Sequence, residues 1–291
     1  MRPMLFVPGD DPRKLAKARD SAADALIVDL EDAVAPERKT AARGTTRELL
    51  AETRRQRVFV RINALTEPDA ADDLAAIVGA APDGVMLPKC GSPAQVRELD
   101  AMLTALEVRE GIARGSTAIL PLAIELAAAV FEAGGYRDAS SRLCGLMWGV
   151  EDLAIDLGSQ TVDAEGRYLP AVDLGRSLCL YAAAAAGVPA IDAVYADFRD
   201  LDGLAAAAEG ARNAGFACKA AIHPAQIDVI NQVFTPREDD VAHASRVIDA
   251  FGAAPGRGAV AIDGRMYDRP HLRAAERVLA RARAAAQGRE R

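Results

Sequence analysis

A (β/α)8 barrel of the TIM type, followed by a short C-terminal helical and lid extension, is what the sequence predicts. Three observations carry the prediction. Eight short apolar runs recur, at residues 4–7, 25–29, 58–62, 84–87, 118–124, 143–148, 190–195 and 216–222. Amphipathic or alanine-rich stretches with helical spacing lie between them, at 11–21, 36–52, 70–79, 93–109, 174–186 and 202–214. The 291-residue length suits one barrel of about 250 residues with a tail. Strands that alternate with helices build βα units and a parallel sheet, and eight such units at this length favour closure over an open, doubly wound sheet. No fixed-period repeat is visible, which argues against a solenoid.

Each run ends in a polar turn. The first breaks at Pro8-Gly9-Asp10-Asp11, and the second at Asp29-Leu30-Glu31-Asp32. The third carries Arg61-Ile62-Asn63 at its end, the fourth leads to Pro88-Lys89, and the fifth to Glu125. Glu151-Asp152 follow the sixth, Asp197 the seventh and His223-Pro224 the eighth. The remaining 69 residues read as helices at 225–233 and 237–251, a segment with Gly252, Gly256, Gly258 and Gly264, and a last helix from Pro270. That tail is too short for an independent domain, so the expected division is a barrel over 1–223 and a helical lid region over 224–291. Glycine-rich breaks around a polar segment suit a flap over a site or a neighbour.

Composition removes several classes of function. A net charge of −7 is a poor match for sequence-independent nucleic-acid binding, which depends on Lys and Arg meeting phosphates. The stretch at 177–191 is the longest without charge, short of the roughly 20 residues that span a bilayer, so no membrane span is expected. The short apolar run after Arg2 does not read as a signal peptide. Cys90, Cys144, Cys179 and Cys218 form no C-x-x-C pair, and reduced thiols in a cytoplasmic protein are expected. His223, His243 and His271 make no zinc motif, and a lysine-dependent mechanism has only five lysines to draw on.

In such a barrel the chemistry sits where strands end. One mouth would then collect Glu31, Asp32, Glu125 and Asp152 with Arg61 and Lys89. Glu125 and Asp152 lie 27 residues apart, one βα unit, so they can end adjacent strands and face one ion. Two carboxylates without thiolate or imidazole suit Mg²⁺, which fills its other positions with water and substrate oxygens. The alternative is that Glu125 caps a helix and Asp152 is a first-turn helix carboxylate. Arg61 reads either as an ion-pair partner of Asp29 or Glu31, or as a fork for a substrate carboxylate or enolate oxygen. Lys89 reads as a Schiff-base lysine or, held protonated among acids, as a carboxylate partner, which the charges favour. His223 reads as a base or a cap, and the cap is favoured.

These motifs, taken in order, resemble the citrate lyase beta-subunit-like branch of the HpcH/HpaI aldolase/citrate lyase family. The likeness rests on Leu5-Phe6-Val7-Pro8-Gly9, Asp29-Leu30-Glu31-Asp32-Ala33-Val34, Arg61-Ile62-Asn63, Leu87-Pro88-Lys89, Glu125, Trp148-Gly149-Val150-Glu151-Asp152-Leu153, Ala221-Ile222-His223-Pro224 and Asp263-Gly264-Arg265-Met266-Tyr267-Asp268. The resemblance implies a TIM barrel with Mg²⁺ on Glu125 and Asp152, and substrate contacts from Arg61 and Glu125. It implies Glu31 and Asp32 as supporting catalytic residues, and Asp268 as an acid/base delivered by a neighbouring subunit's lid. A homotrimer or a pair of trimers follows from that delivery. Tyr267 replaces the Ile usual before that Asp, and Leu126 replaces the usual Thr or Ser after the metal Glu. Class II pyruvate aldolases carry a His base where this chain has Asp32. The expected activity is therefore cleavage or formation of a β-hydroxyacyl thioester such as malyl-, citramalyl- or citryl-coenzyme A, through a 2-oxo acid and an acyl thioester. A beta subunit acting on an acyl-carrier-protein thioester, or an aldolase on free hydroxy-keto acids, are the alternatives.

Overall fold

The computed structural model describes residues 1–52 and 54–289, with side chains to residue 286. Its elements run β1 (Pro3–Pro8), α1 (Pro12–Arg19), β2 (Ala25–Asp29), α2 (Lys39–Ala51), β3 (Arg57–Arg61), α3 (Asp69–Ile77), β4 (Gly84–Leu87), α4 (Pro93–Glu110) and β5 (Ala118–Ile124). They continue with α5 (Ala129–Glu132), β6 (Leu146–Trp148), α6 (Val150–Asp156), α7 (Pro170–Ala186), β7 (Ala190–Asp192), α8 (Leu201–Ala214), β8 (Cys218–Ala221) and α9 (Ile227–Phe234). The tail holds α10 (Glu238–Gly252), β9 (Ala259–Ile262), β10 (Arg265–Asp268) and α11 (Arg269–Arg289). Strands β1 to β8 close into a barrel in sequence order, every neighbour parallel and β8 pairing back on β1. The predicted TIM barrel is therefore the fold.

Successive strand side chains point to opposite faces, and this period decides which polar residues reach the mouth. The barrel interior is filled by Met4, Ala25, Ile27, Phe59, Met86, Leu120, Leu122, Met147, Ile191, Cys218 and Ala220. With Ala25 and Ile27 inside, Asp29 shares their face; with Phe59 inside, so does Arg61. The two are also register partners on β2 and β3. Residues of the opposite parity, such as Leu26, Val28, Val58 and Val60, pack outward among the helices. So does a buried charge cluster. Lys219 Nζ lies 2.6 Å from Asp192 Oδ2, and Trp148 Nε1 donates to Asp192 Oδ1 at 3.0 Å. That lysine is fully buried and paired, on the face away from the mouth.

Strands β6 and β7 are shorter than the apolar runs that predict them. At β6 the chain closes in tightly: a Cβ on Gly145 would sit 2.7 Å from Ile191 Cδ1, so Leu143 makes only an isolated bridge to Ile119 and pairing with β7 starts at Leu146. Short helices α5 and α6 were not separated in the sequence reading.

The tail departs further from expectation. The glycine-bearing segment is an antiparallel hairpin, β9 on β10, and not an irregular flap. Its two-residue turn is Asp263-Gly264, with φ of +49° and +76°. Positive φ at both central positions defines the type I′ turn, whose twist matches that of paired strands and for which Asp-Gly is a favoured pair. The hairpin packs with α10 and α11 around Ala244, Val247 and Ala275, with Ile262 and Tyr267 against them. Among the described residues no helix is long and apolar enough to cross a membrane. Cys90, Cys144, Cys179 and Cys218 are all free thiols.

Candidate active site

Arg61 is built into the mouth by β2 and the loop after it. Its Nε and Nη2 donate to the two Asp29 carboxylate oxygens at 2.8 and 2.6 Å. The loop wraps the same carboxylate, with the Glu31 N–H at 2.9 Å and the Ala33 N–H at 3.2 Å. Nη1 reaches Glu31 at 2.8 Å and Asp32 at 3.7 Å. Both ion pairs considered for Arg61 therefore form together, and the guanidinium also lies over the Phe6 ring, 5.2 Å from its centroid. Burial opposes its charge, but the Asp29 hydrogen bonds outweigh that, so Arg61 is held above its ordinary pKa. A guanidinium has five N–H donors. The Asp29 oxygens take two of them, from Nε and Nη2, and Nη1 is ion-paired with Glu31.

Across the mouth, Glu125 ends β5 and is buried. The Lys89 N–H donates to its Oε2 at 2.5 Å. Gly149, just before α6, makes room for it, since a Cβ there would lie 3.0 Å from Glu125 Cγ. Asp152, in the first turn of α6, stands beside Glu125. Burial above all pushes the Glu125 carboxyl up, to about 8; the Lys89 N–H pulls the other way, and the Asp152 and Glu31 charges add to the rise. A buried carboxylate next to a second carboxylate, without a cation between them, holds a proton. Lys89 Nζ pairs with Glu31 and lies 3.2 Å from Asp32, so burial is outweighed and the ammonium stays charged well above its ordinary range. That pairing is the carboxylate partnership expected of it. Burial raises the Glu31 carboxyl despite Arg61, whereas Glu31 and Lys89 hydrogen bonds lower Asp32 against its own burial.

The donor set fits Mg²⁺. Glu125 and Asp152 stand together, both hard oxygen donors, and Mg²⁺ commonly takes one or two carboxylates and completes its shell with water and substrate oxygens. A cation that takes Glu125 must displace its proton. Below pH 8 that proton is increasingly present, so the apparent Mg²⁺ affinity falls as the pH falls, approaching about tenfold per unit well below pH 8. Titration calorimetry between about pH 6 and 8 measures this, and a flat affinity would show that Glu125 is not the ligand.

Other predicted residues fall elsewhere. His223 is a cap: its Nδ1 accepts the Ala225 N–H at 3.1 Å, Gln226 completes the box, and the ring stacks on Phe198. Asn63 ties the loop after β3 to α3, donating to Asp73 Oδ2 at 2.6 Å. Asp268 closes the hairpin and pairs with His271, 2.5 Å away, which holds its carboxyl below the usual range. Its recorded polar partner is thus in the tail and not in this mouth. Tyr267 lies between His243 and His271, at 5.6 and 5.4 Å between ring centroids. Sequence reasoning missed Phe6 beneath Arg61 and the Gly149 cradle, and it gave Asp29 only half its part. The alternating parity of β1 and β2 is the signal that could have placed Phe6 and Asp29.

Comparisons with known proteins give the chain a family. The HpcH/HpaI aldolase/citrate lyase family matches residues 2–224, and a carbon–carbon bond lyase family of the TIM-barrel fold matches 184–286. A citrate lyase subunit beta-like protein of Mycobacterium tuberculosis is 41% identical over 96% of this chain and 94% of its own. A (3S)-malyl-CoA thioesterase of Cereibacter sphaeroides is 37% identical over 98% of this chain and 95% of its own. The crystal structure of M. tuberculosis CitE in complex with magnesium, acetoacetate and coenzyme A superposes with a TM-score of 0.79 at 39% identity, covering 97% of both chains. With a closed barrel, this mouth and near end-to-end likeness, the chain belongs to the HpcH/HpaI aldolase/citrate lyase family and is an enzyme of its carbon–carbon lyase class.

Proposed function

We propose that the protein is a Mg²⁺-dependent lyase that splits a β-hydroxyacyl thioester, such as malyl-, citramalyl- or citryl-coenzyme A, into a 2-oxo acid and an acyl thioester. The observation that carries the reading is the Glu125–Asp152 carboxylate pair in the same barrel mouth as Arg61, linked to it through Lys89 and Glu31. Glu125 and Asp152 would hold the cation. When bound, it supplies a Lewis acid and a template for the carboxylate and oxo oxygens of the 2-oxo acid half. The hydroxyl gives its proton to solvent water, the carbon–carbon bond breaks, and the electron pair passes into the thioester enolate. Arg61 donates to the enolate oxygen, where negative charge develops. Glu31 and Asp32, with Lys89, keep the guanidinium in place. Asp268 protonates the enolate carbon, or removes that proton in condensation. Condensation requires that it start ionised, and cleavage that it first take up a proton.

Asp268 pairs within its own tail, so in this reading it serves a neighbouring subunit in a trimer or a pair of trimers. Phe131, Ile155 and Tyr181, large apolar side chains left exposed on α5, α6 and α7, support association. Coenzyme A and magnesium in the M. tuberculosis CitE structure support the thioester and the cation.

The thioesterase likeness favours a second reading, hydrolysis of the same malyl thioester. One experiment separates the two. Malyl, citramalyl and citryl thioesters are incubated with Mg²⁺, and 2-oxo acid and free thiol are followed together. Release of 2-oxo acid without free thiol is the expected result. Free thiol without 2-oxo acid would make the protein a hydrolase, and activity only on carrier-protein thioesters would make it a subunit of a larger complex.

A further inference from the structure

Lys89 transfers no proton and touches no reacting atom in that scheme, yet its backbone is unusual. Its φ is +48°, a left-handed conformation that a residue with a Cβ adopts at a cost. Such outliers persist where surrounding contacts fix them. At Lys89 these contacts are three, and they run in two directions. The N–H reaches Glu125 Oε2 at 2.5 Å. The ammonium turns back to Glu31 and Asp32, the carboxylates beside Arg61. On its other side Glu125 meets the Gly149 backbone, where a Cβ would lie 3.3 Å from Oε1. One oxygen of Glu125 is thus engaged by a main-chain donor, and the other is the oxygen left for a cation.

We infer that Lys89 is a positioning residue acting by two separable routes. Its left-handed main chain sets Glu125 for the cation, and its ammonium holds Glu31 against Arg61. This rests on the reading of Glu125 as a metal ligand. The backbone route needs no side chain, only the positive φ, which glycine adopts freely and a β-branched residue resists. The ammonium route needs the charge.

The test compares Lys89→Gly, Lys89→Val and Lys89→Arg with the unaltered protein, using Mn²⁺ binding followed by electron paramagnetic resonance, and kcat and KM on the active thioester. Lys89→Gly should bind Mn²⁺ within about threefold of the unaltered protein while kcat falls. Lys89→Val should lose at least about tenfold in Mn²⁺ affinity, the scale on which groups behind a metal ligand act. Lys89→Arg should recover part of the kcat lost in Lys89→Gly. Equal Mn²⁺ affinity in the glycine and valine variants, whether retained or lost, overturns the backbone route. An unchanged kcat in Lys89→Gly overturns the ammonium route. If the valine variant does not fold, Lys89→Ala, which also carries a Cβ, takes its place with the same expected order. Glu125→Gln is the control that keeps the two readings apart: Mn²⁺ binding at full affinity there would remove Glu125 as a ligand, whatever Lys89 does.

Discussion

Asp152→Ala is expected to abolish measurable Mg²⁺ binding and to lower kcat/KM by at least about 10³-fold, several kcal/mol of transition-state stabilisation. The reason is the small donor set. In the proposed site Glu125 and Asp152 are the two protein ligands, so loss of one leaves a single carboxylate on the ion. Stability should hardly move. Asp152 is partly exposed in the first turn of α6, where a carboxylate is worth about 0.3–1 kcal/mol to the helix. This split separates the two readings of the residue. A variant with normal activity and Mg²⁺ affinity, but a slightly lower melting temperature, would make Asp152 a helix-terminus carboxylate and nothing more. Calorimetry, steady-state kinetics and thermal melting of the same preparation decide it.

Asp268→Ala should be nearly as inactive, about 10²–10⁴-fold down as expected for loss of a general acid or base, but with Mg²⁺ affinity intact. If the residue serves a neighbour, the two dead variants should complement. Refolded together in equal amounts, Asp152→Ala and Asp268→Ala form mixed oligomers. About a quarter of the sites in a random mixture then combine an intact metal pair with an intact lid, so activity should return toward that fraction. No recovery, in a preparation shown by mass spectrometry to contain mixed oligomers, would sink the shared site. Near-normal activity of Asp268→Ala alone would leave the residue with its His271 partnership at the start of α11.

The barrel was legible because its signal is repeated. Eight apolar runs with a polar turn after each admit few other arrangements, and seven of the eight observed strands overlap their predicted span in all but one terminal residue or by trimming at the ends. The polar residues that end those strands were legible for the same reason. The hairpin was hidden by its context. Asp263-Gly264 is a strong turn signal, but the flanking Ala259–Ile262 and Arg265–Asp268 are short, and glycines nearby read as a loop. The glycines at 252, 256, 258 and 264 outweigh the short alternation around the turn.

What the sequence determined by itself is the set of charged groups and the end of the barrel at which they gather. Hydrophobic periodicity places strands, strand ends place loops, and both are local properties. Which charges touch is not local. Whether Arg61 takes Asp29, Glu31 or both depends on the parity and register of β2 against β3, because a shift of one residue would turn every side chain to the opposite face. The left-handed turn at Lys89 and the close approach of Gly149 to Glu125 depend on the packing of β4, β5 and β6 around one axis. Only the closed barrel brings residues 31, 89 and 125 within hydrogen-bond reach through a single lysine, and only burial in that mouth lifts the Glu125 carboxyl to about 8, since the loss of water around a charge is a property of the folded surroundings and not of the residue.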